Sequence, residues 1–277
     1  MRRDGARGYN RAVARIRLVA LDLDGTLLHA GNRIADEDAQ AVRDAVAAGV
    51  HVILSTSRWF TLALTTADAL GIRDPLICHN GALVKTRDGE ELVHHRIDGA
   101  TAQAIVREAV EAGVDPVVTV DDVTYWGTSR TDVDPSRFPA GMVAERDVAG
   151  RVRDGCTAFL FFGERGVRVM LERLDGRYAG ELNLAWGYSE TYPPYLNVVR
   201  REANKGAALL AVCRRLGVDP KDALAMGDAA PDIEMLRVVG WPVAMGNAPE
   251  EVKRVARAVA PSNREAGVAW AIRELAL

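Results

Sequence analysis

Leu18-Val-Ala-Leu-Asp-Leu-Asp-Gly-Thr26 is the stretch on which the reading of this chain turns. Four apolar residues run without a break into Asp22, Asp24 and Gly25. Such a short apolar run, bounded by turn residues, reads as a strand buried on both faces. Working outward, residues 35–48 place Val42, Ala45 and Val46 on one helical face and meet Gly49 as a stop signal. Residues 50–54 read as a second strand, 58–70 as a helix ending before Gly71, and 76–78 as a third strand. Strand, helix, strand, helix, strand with short connections predicts an α/β fold with a parallel, doubly wound sheet. The alternation returns later, with helices at 204–216, 231–238 and 249–257 and strands at 223–226 and 243–245.

Residues 83–190 differ in character. Asp88-Gly89 between two strand-like runs is a hairpin signal. A helix over about 99–112 follows, then paired strands at 116–121 and 123–126. Residues 128–154 mix Gly, Pro and both charge signs and read as loop or weak structure. A strand at 157–162, a helix at 164–174 and a strand at 182–186 complete an α+β unit. The expected organisation is a core of residues 17–82 and 191–277 interrupted by an inserted α+β cap domain at 83–190.

Composition narrows the class. The chain has 277 residues, 48% hydrophobic and 26% charged, a globular balance with room for two domains. A net charge of -3 gives no bulk attraction to nucleic acid or a membrane, so neither is expected as a partner. No apolar run approaches the roughly 18 residues of a membrane span. Charge is uneven only at the start, where Arg2, Arg3, Arg7, Arg11, Arg15 and Arg17 face a single Asp4. Residues 1–16 are therefore read as a basic, poorly ordered arm, as termini fray unless tied down. Cys78, Cys156 and Cys213 are odd in number and widely spaced, which fits free thiols in a cytoplasmic protein better than disulfides or a zinc site. Oligomeric state is not set by these features.

In doubly wound folds ligands bind at the carboxyl ends of the strands. Asp22 and Asp24 lie there after the first strand, Ser55 and Thr56 after the second, Asn80 after the third and Asp228 after the strand at 223–226. Two carboxylates two residues apart suit a nucleophile, Asp22, with an acid/base, Asp24. The same string alone also reads as a solvated turn. Asp22 and Asp228, from different strands, suit magnesium, which takes one or two carboxylates plus water and substrate phosphate. The backbone carbonyl of Asp24 offers a further oxygen, and Asp232 follows Asp228 closely. Lys205, after the N-cap residue Asn204, opposes the helix dipole, and an anion at that helix end would explain it. Thr56 can donate a hydroxyl to a phosphate oxygen, and Arg58 is a candidate bidentate phosphate ligand.

Together these residues resemble the haloacid dehalogenase (HAD) superfamily, specifically its Cof-like phosphatase branch. The matches are Asp22-Leu-Asp-Gly-Thr26, Thr56 within Ser-Thr-Ser-Arg, Lys205-Gly206, and Gly227-Asp228 followed by Asp232. Asn80-Gly81-Ala82 and Val243-Ala-Met-Gly-Asn-Ala248 match as well. The resemblance implies a HAD-like core with a cap that closes over the site, and a Mg2+-dependent phosphatase acting through a phospho-aspartate. By it Asp22, Asp24, Thr56 and Lys205 are catalytic, and Asp22, Asp24, Asp228 and Asp232 surround the metal. Gly25, Thr26, Ser57, Arg58, Asn80 and Gly81 bind phosphate or substrate. The implied partner is a small phosphorylated metabolite, a sugar phosphate or similar. A sugar phosphomutase of the same superfamily and a non-catalytic phosphate-binding module are the alternatives. Aromatic residues at Tyr125-Trp126 and from Trp186 to Tyr195, with Trp186 and Tyr188 foremost, are expected to meet the leaving group.

Pro231 stands where the family usually has Asn. Proline suits a first helical position, so Pro231→Asn is expected to keep the fold and tighten magnesium binding by restoring an amide. Magnesium titration of p-nitrophenyl phosphate hydrolysis checks this, and an unchanged dependence would show that solvent already fills that place.

Overall fold

Leu18–Leu21 (β1) is fully buried and hydrogen-bonded on both edges, in parallel with His51–Leu54 (β2) and with Ala223–Gly227, 202 or more residues further on. The computed structural model describes residues 16–130, 132–188 and 193–277. The strands continue in chain order as Leu76–Cys78 (β3), Leu83–Lys85 (β4), Glu91–His94 (β5), Val117–Val120 (β6), Val123–Gly127 (β7) and Met142–Glu145 (β8). Then come Ala158–Phe162 (β9), Leu182–Gly187 (β10), Tyr195–Arg200 (β11), Ala223–Gly227 (β12), Trp241–Ala244 (β13) and Ala258–Val259 (β14). Helices are Asp36–Ala47 (α1), Phe60–Leu70 (α2), Gly99–Glu111 (α3), Val148–Arg151 (α4), Gly163–Leu174 (α5), Lys205–Leu216 (α6), Ile233–Arg237 (α7), Glu250–Lys253 (α8) and Gly267–Ala271 (α9).

The core sheet has the order β14-β13-β12-β1-β2 and is parallel throughout. A single parallel bridge, Ser55 to Ile77, joins β3 to its edge. Alternation along β1 explains why helices cover both faces. Val19 and Leu21 pack with Ala41, Val42, Ala63 and Val268 from α1, α2 and α9. Leu18 and Ala20 pack with Leu209, Val212 and Met235 from α6 and α7. Side chains that alternate by two must find apolar partners on both sides, which is the sequence origin of the doubly wound arrangement.

The second sheet, β10-β11-β9-β6-β7-β8, is antiparallel except for its β7–β8 pair. Phe159, Phe161, Leu196 and Val198 face α3 and α5. The alternate residues Leu160, Phe162 and Tyr195 instead pack toward Trp59 and Leu62 of the core. This sheet therefore presents one face to its own helices and the other to the carboxyl end of the core.

Several expectations shift. Residues 128–154, read as loop, contain β8 and α4; the parallel pairing of β8 with β7 supplies order that local composition does not show. The helix expected over 249–257 stops at Lys253, because Ala258–Val259 pairs with β13. Tyr195–Arg200 was not anticipated as a strand, yet it pairs with both β9 and β10. At the other boundary β4 and β5 pair with β3. We accordingly place the core–cap division near residues 95 and 201, later at both ends than 83 and 190. The basic arm lies outside the described residues up to Arg15; Arg17 donates its backbone N–H to the Asp222 carbonyl at 2.8 Å.

Candidate active site

Asp22 is the first residue past β1, and its position follows from the ladder. Its amide donates to the Met226 carbonyl at 3.1 Å, so the side chain emerges beside the end of β12. Gly25 then turns the chain with φ +92°, and a Cβ there would lie 2.2 Å from Asp228 Oδ2. Only glycine allows this approach of the β1 loop to the β12 loop. The Gly25 carbonyl accepts from Asn247 Nδ2 at 2.8 Å, and the buried Thr26 hydroxyl donates to Asp228 Oδ1 at 2.9 Å. Gly25 and Thr26, expected at the phosphate, thus hold Asp228 in place.

Lys205, 3% exposed at the first turn of α6, donates to Asp22 Oδ1 at 2.6 Å and to Asp232 Oδ1 at 2.7 Å. Asp232 Oδ2 accepts the backbone N–H groups of Asp228 and Ala229, each at 3.0 Å. Asp232 therefore fixes the loop that carries Asp228 while binding Lys205. Carboxylate oxygens of Asp22, Asp228 and Asp232 lie within 4.8 Å of one another. With every group ionised, three carboxylates against one ammonium leave two negative charges uncompensated. Burial, with repulsion from Asp232 and Asp228, raises the Asp22 carboxyl well above the usual range despite Lys205. Burial and then Asp232 push Asp228 up to about 7. For Lys205, burial works downward, but the attraction of Asp22 and Asp232 and their hydrogen bonds outweighs it and raises the ammonium. An all-oxygen donor set with two uncompensated negative charges fits a hard divalent cation such as magnesium.

The remaining predicted residues gather around this group with different partners. Asp24 is gripped by Arg58, Nε to Oδ2 at 2.8 Å and Nη2 to Oδ1 at 2.7 Å, and the same Nη2 reaches Asn32 Oδ1 at 2.6 Å. The Asp24 side chain is thus outside the three-carboxylate cluster, and Arg58 bonds a carboxylate. Thr56 Oγ1 accepts the Arg58 amide at 3.1 Å, an arrangement that leaves its O–H to donate. Ser57 exchanges a 3.0 Å hydrogen bond with the Tyr195 hydroxyl on β11. Asn80, at φ 53°, reaches across to Asn197 Oδ1 at 3.2 Å, and a Cβ on Gly81 would meet the Asn204 carbonyl at 2.3 Å.

Tyr195, the end of the aromatic segment expected to meet the leaving group, does border the cavity beside Asp24. Asn197, Asn32 and Asn247 were not singled out as site residues; Asn247 lies in the tail motif already noted, and the other two carry no local signal. Trp186 and Tyr188, expected over the leaving group, are 63% and 68% exposed. Trp186 borders a cavity beside Lys205, Asn80 and Pro231, away from Asp24.

Geometry and ancestry agree. A family model of haloacid dehalogenase-like hydrolases matches residues 19–272. The chain belongs to this family. Phosphatase YwpJ of Bacillus subtilis is 28% identical, over 94% of this chain and 100% of that protein. The 5-amino-6-(5-phospho-D-ribitylamino)uracil phosphatase YcsE of the same organism is 30% identical, over 95% of this chain and 96% of the relative. In fold, a haloacid dehalogenase-like hydrolase from Bacteroides thetaiotaomicron superposes with a TM-score of 0.81 at 22% identity, covering 94% of this chain and 99% of that one. The protein is a HAD-type, Cof-like hydrolase acting on phosphate esters. Among the described residues, no helix is long and apolar enough to cross a membrane.

The charge imbalance of this HAD site predicts a pH dependence. A carboxyl whose folded pKa is raised stabilises the fold while protonated. In metal-free protein the Asp228 contribution should therefore be lost as pH rises from its ordinary value of 3.8 through about 7. Asp228→Asn without metal should melt above wild type at pH 8 by roughly 2–4 °C for each kcal/mol relieved, with the gap shrinking to less than about half at pH 5. Magnesium should reverse the order at pH 8. Equal melting at both pH values would contradict the assignment.

Proposed function

We propose that this protein is a magnesium-dependent phosphatase that hydrolyses a small phosphomonoester through a phospho-aspartate on Asp22. One observation carries the reading: a buried Lys205 bridges Asp22 and Asp232 while Asp228 lies close enough to share a cation with both. Asp22, Asp228, Asp232 and the carbonyl of Asp24 would hold magnesium, which when bound offsets negative charge on the transferring phosphoryl oxygens.

The chain's own groups account for the remaining chemistry. Lys205 holds Asp22 Oδ1, which leaves Oδ2 to attack phosphorus in line. Lys205 and the Thr56 hydroxyl balance charge on the phosphoryl oxygens. As the ester P–O bond breaks, its electron pair leaves with the alkoxide oxygen, which takes a proton from Asp24. Water then loses a proton to Asp24 and attacks phosphorus, breaking the bond to Asp22 and releasing phosphate. Both Asp24 oxygens are bonded to Arg58, so one of those bonds must yield when Asp24 transfers its proton. Transfer to water, not back to a substrate hydroxyl, is supported by relatives named as phosphatases.

Asp22→Asn should abolish turnover, because an amide cannot form the acyl phosphate. Retention of a tenth of the wild-type rate by the purified variant would overturn the proposal. Asp24→Ala should slow alkyl phosphates by about 10²–10⁴-fold, the usual worth of general acid–base help, and p-nitrophenyl phosphate far less. Equal losses on both would leave Asp24 with a structural role only.

A further inference from the structure

The described residues form two cavities beside the catalytic group, and their walls differ. The first, about 250 Å3, lies between core and cap; Asp24, Ser57 and Arg58 border it. The rest of its wall is apolar or aromatic, chiefly Trp59, Leu62, Met142, Leu160, Phe162 and Tyr195. The second, about 310 Å3, borders Lys205, Asn80, Asn183 and Glu234. A general acid must lie within hydrogen-bond reach of the oxygen it protonates. Asp24 borders the first cavity and not the second, so the departing alcohol belongs in the first.

The polar side chains of that wall are already engaged with protein. Arg58 holds Asp24, Ser57 bonds the Tyr195 hydroxyl, and Trp59 Nε1 donates to the Ala140 carbonyl at 2.6 Å. Burial keeps the Tyr195 hydroxyl protonated, its pKa pushed up to about 12, with Asp24 and Asp22 adding to the effect. A polyhydroxylated leaving group would lose water there and find its partners spent. The volume, below the roughly 300–1,000 Å3 of most ligand cavities, suits one ring better than a nucleotide or disaccharide.

Resting on the phosphatase reading above, we propose that the substrate is a phosphate monoester of a primary alcohol carried on one flat, apolar or aromatic ring, and not a sugar phosphate. The ring sits between Trp59 and Leu62 of the core and Leu160 and Phe162 of the cap, with its phosphate toward Asp22. Selectivity comes from β9, whose alternate residues Phe159 and Phe161 face the cap interior.

The test compares kcat/KM for benzyl phosphate and glucose 6-phosphate, two primary alkyl esters, with p-nitrophenyl phosphate as activity control, all with magnesium. Wild type should favour benzyl phosphate by at least about 10²-fold, the discrimination a hydrophobic pocket shows against a single added hydroxyl. Phe162→Ala, and independently Leu62→Ala, should shrink that ratio about tenfold, since each removes several methylene equivalents of contact. Trp186→Ala in the second cavity should leave the ratio alone. Equal or better hydrolysis of glucose 6-phosphate, or a ratio that responds to Trp186→Ala and not to Phe162→Ala or Leu62→Ala, overturns this inference while leaving the phosphatase reading intact. Release of phosphate from p-nitrophenyl phosphate alone overturns it as well. No release from any of the three overturns the phosphatase reading itself, and this inference with it.

Discussion

A lysine ammonium with 3% exposure, bonded to two carboxylates from different ends of the chain, sets the terms for everything around it. Buried charge is tolerated only when paired and hydrogen-bonded. Lys205 meets that condition through Asp22 and Asp232, and Asp232 meets it through Lys205 and two backbone amides. The position also answers why a lysine opens α6, where the helix dipole disfavours it. Two nearby carboxylates outweigh that penalty. Gly206 then lets α6 approach α7 closely, since a Cβ there would sit 2.4 Å from the Glu234 carbonyl.

From this constraint the roles of the surrounding residues separate. The parallel sheet delivers Asp22 and Asp228 side by side because β1 and β12 are neighbours in register. Gly25, Thr26 and Asn247 tighten the loops so that Asp228 faces the same point. Arg58, whose guanidinium also donates to Asn32 Oδ1, does for Asp24 what Lys205 does for Asp22, holding a carboxylate by paired donors of its own. The cap adds its contribution through strands that alternate between two apolar environments. Phe159, Phe161, Leu196 and Val198 build the cap core, and Leu160, Phe162 and Tyr195 line the approach to the site.

The core was readable because its signals are local. Leu18–Thr26 carries both the buried strand and the turn chemistry of the site, and Lys205 stands out against the dipole of its own helix. What escaped was non-local. The ion pair of Arg58 with Asp24 joins residues 34 positions apart, and nothing in Ser-Thr-Ser-Arg distinguishes an arginine that binds phosphate from one that orients an acid. Strand Tyr195–Arg200 was hidden because a fully buried Asn197 interrupts its apolar pattern, and its partner Asn80, which donates to Asn197 Oδ1, lies 117 positions away. Trp186 misled because aromatic content alone does not say which face of an edge strand a ring occupies; β10 is at the sheet edge, and the ring is largely exposed.

The claim on which the whole account stands is that Asp22 carries the phosphoryl group during turnover. Rapid quenching of the enzyme with substrate and magnesium, followed by borohydride reduction and peptide mass spectrometry, reads this directly. Reduction of an aspartyl phosphate converts that side chain to homoserine, and the account predicts homoserine at position 22 in the peptide containing Leu18–Thr26. Conversion at another carboxylate, or continued turnover with no residue converted, would contradict it.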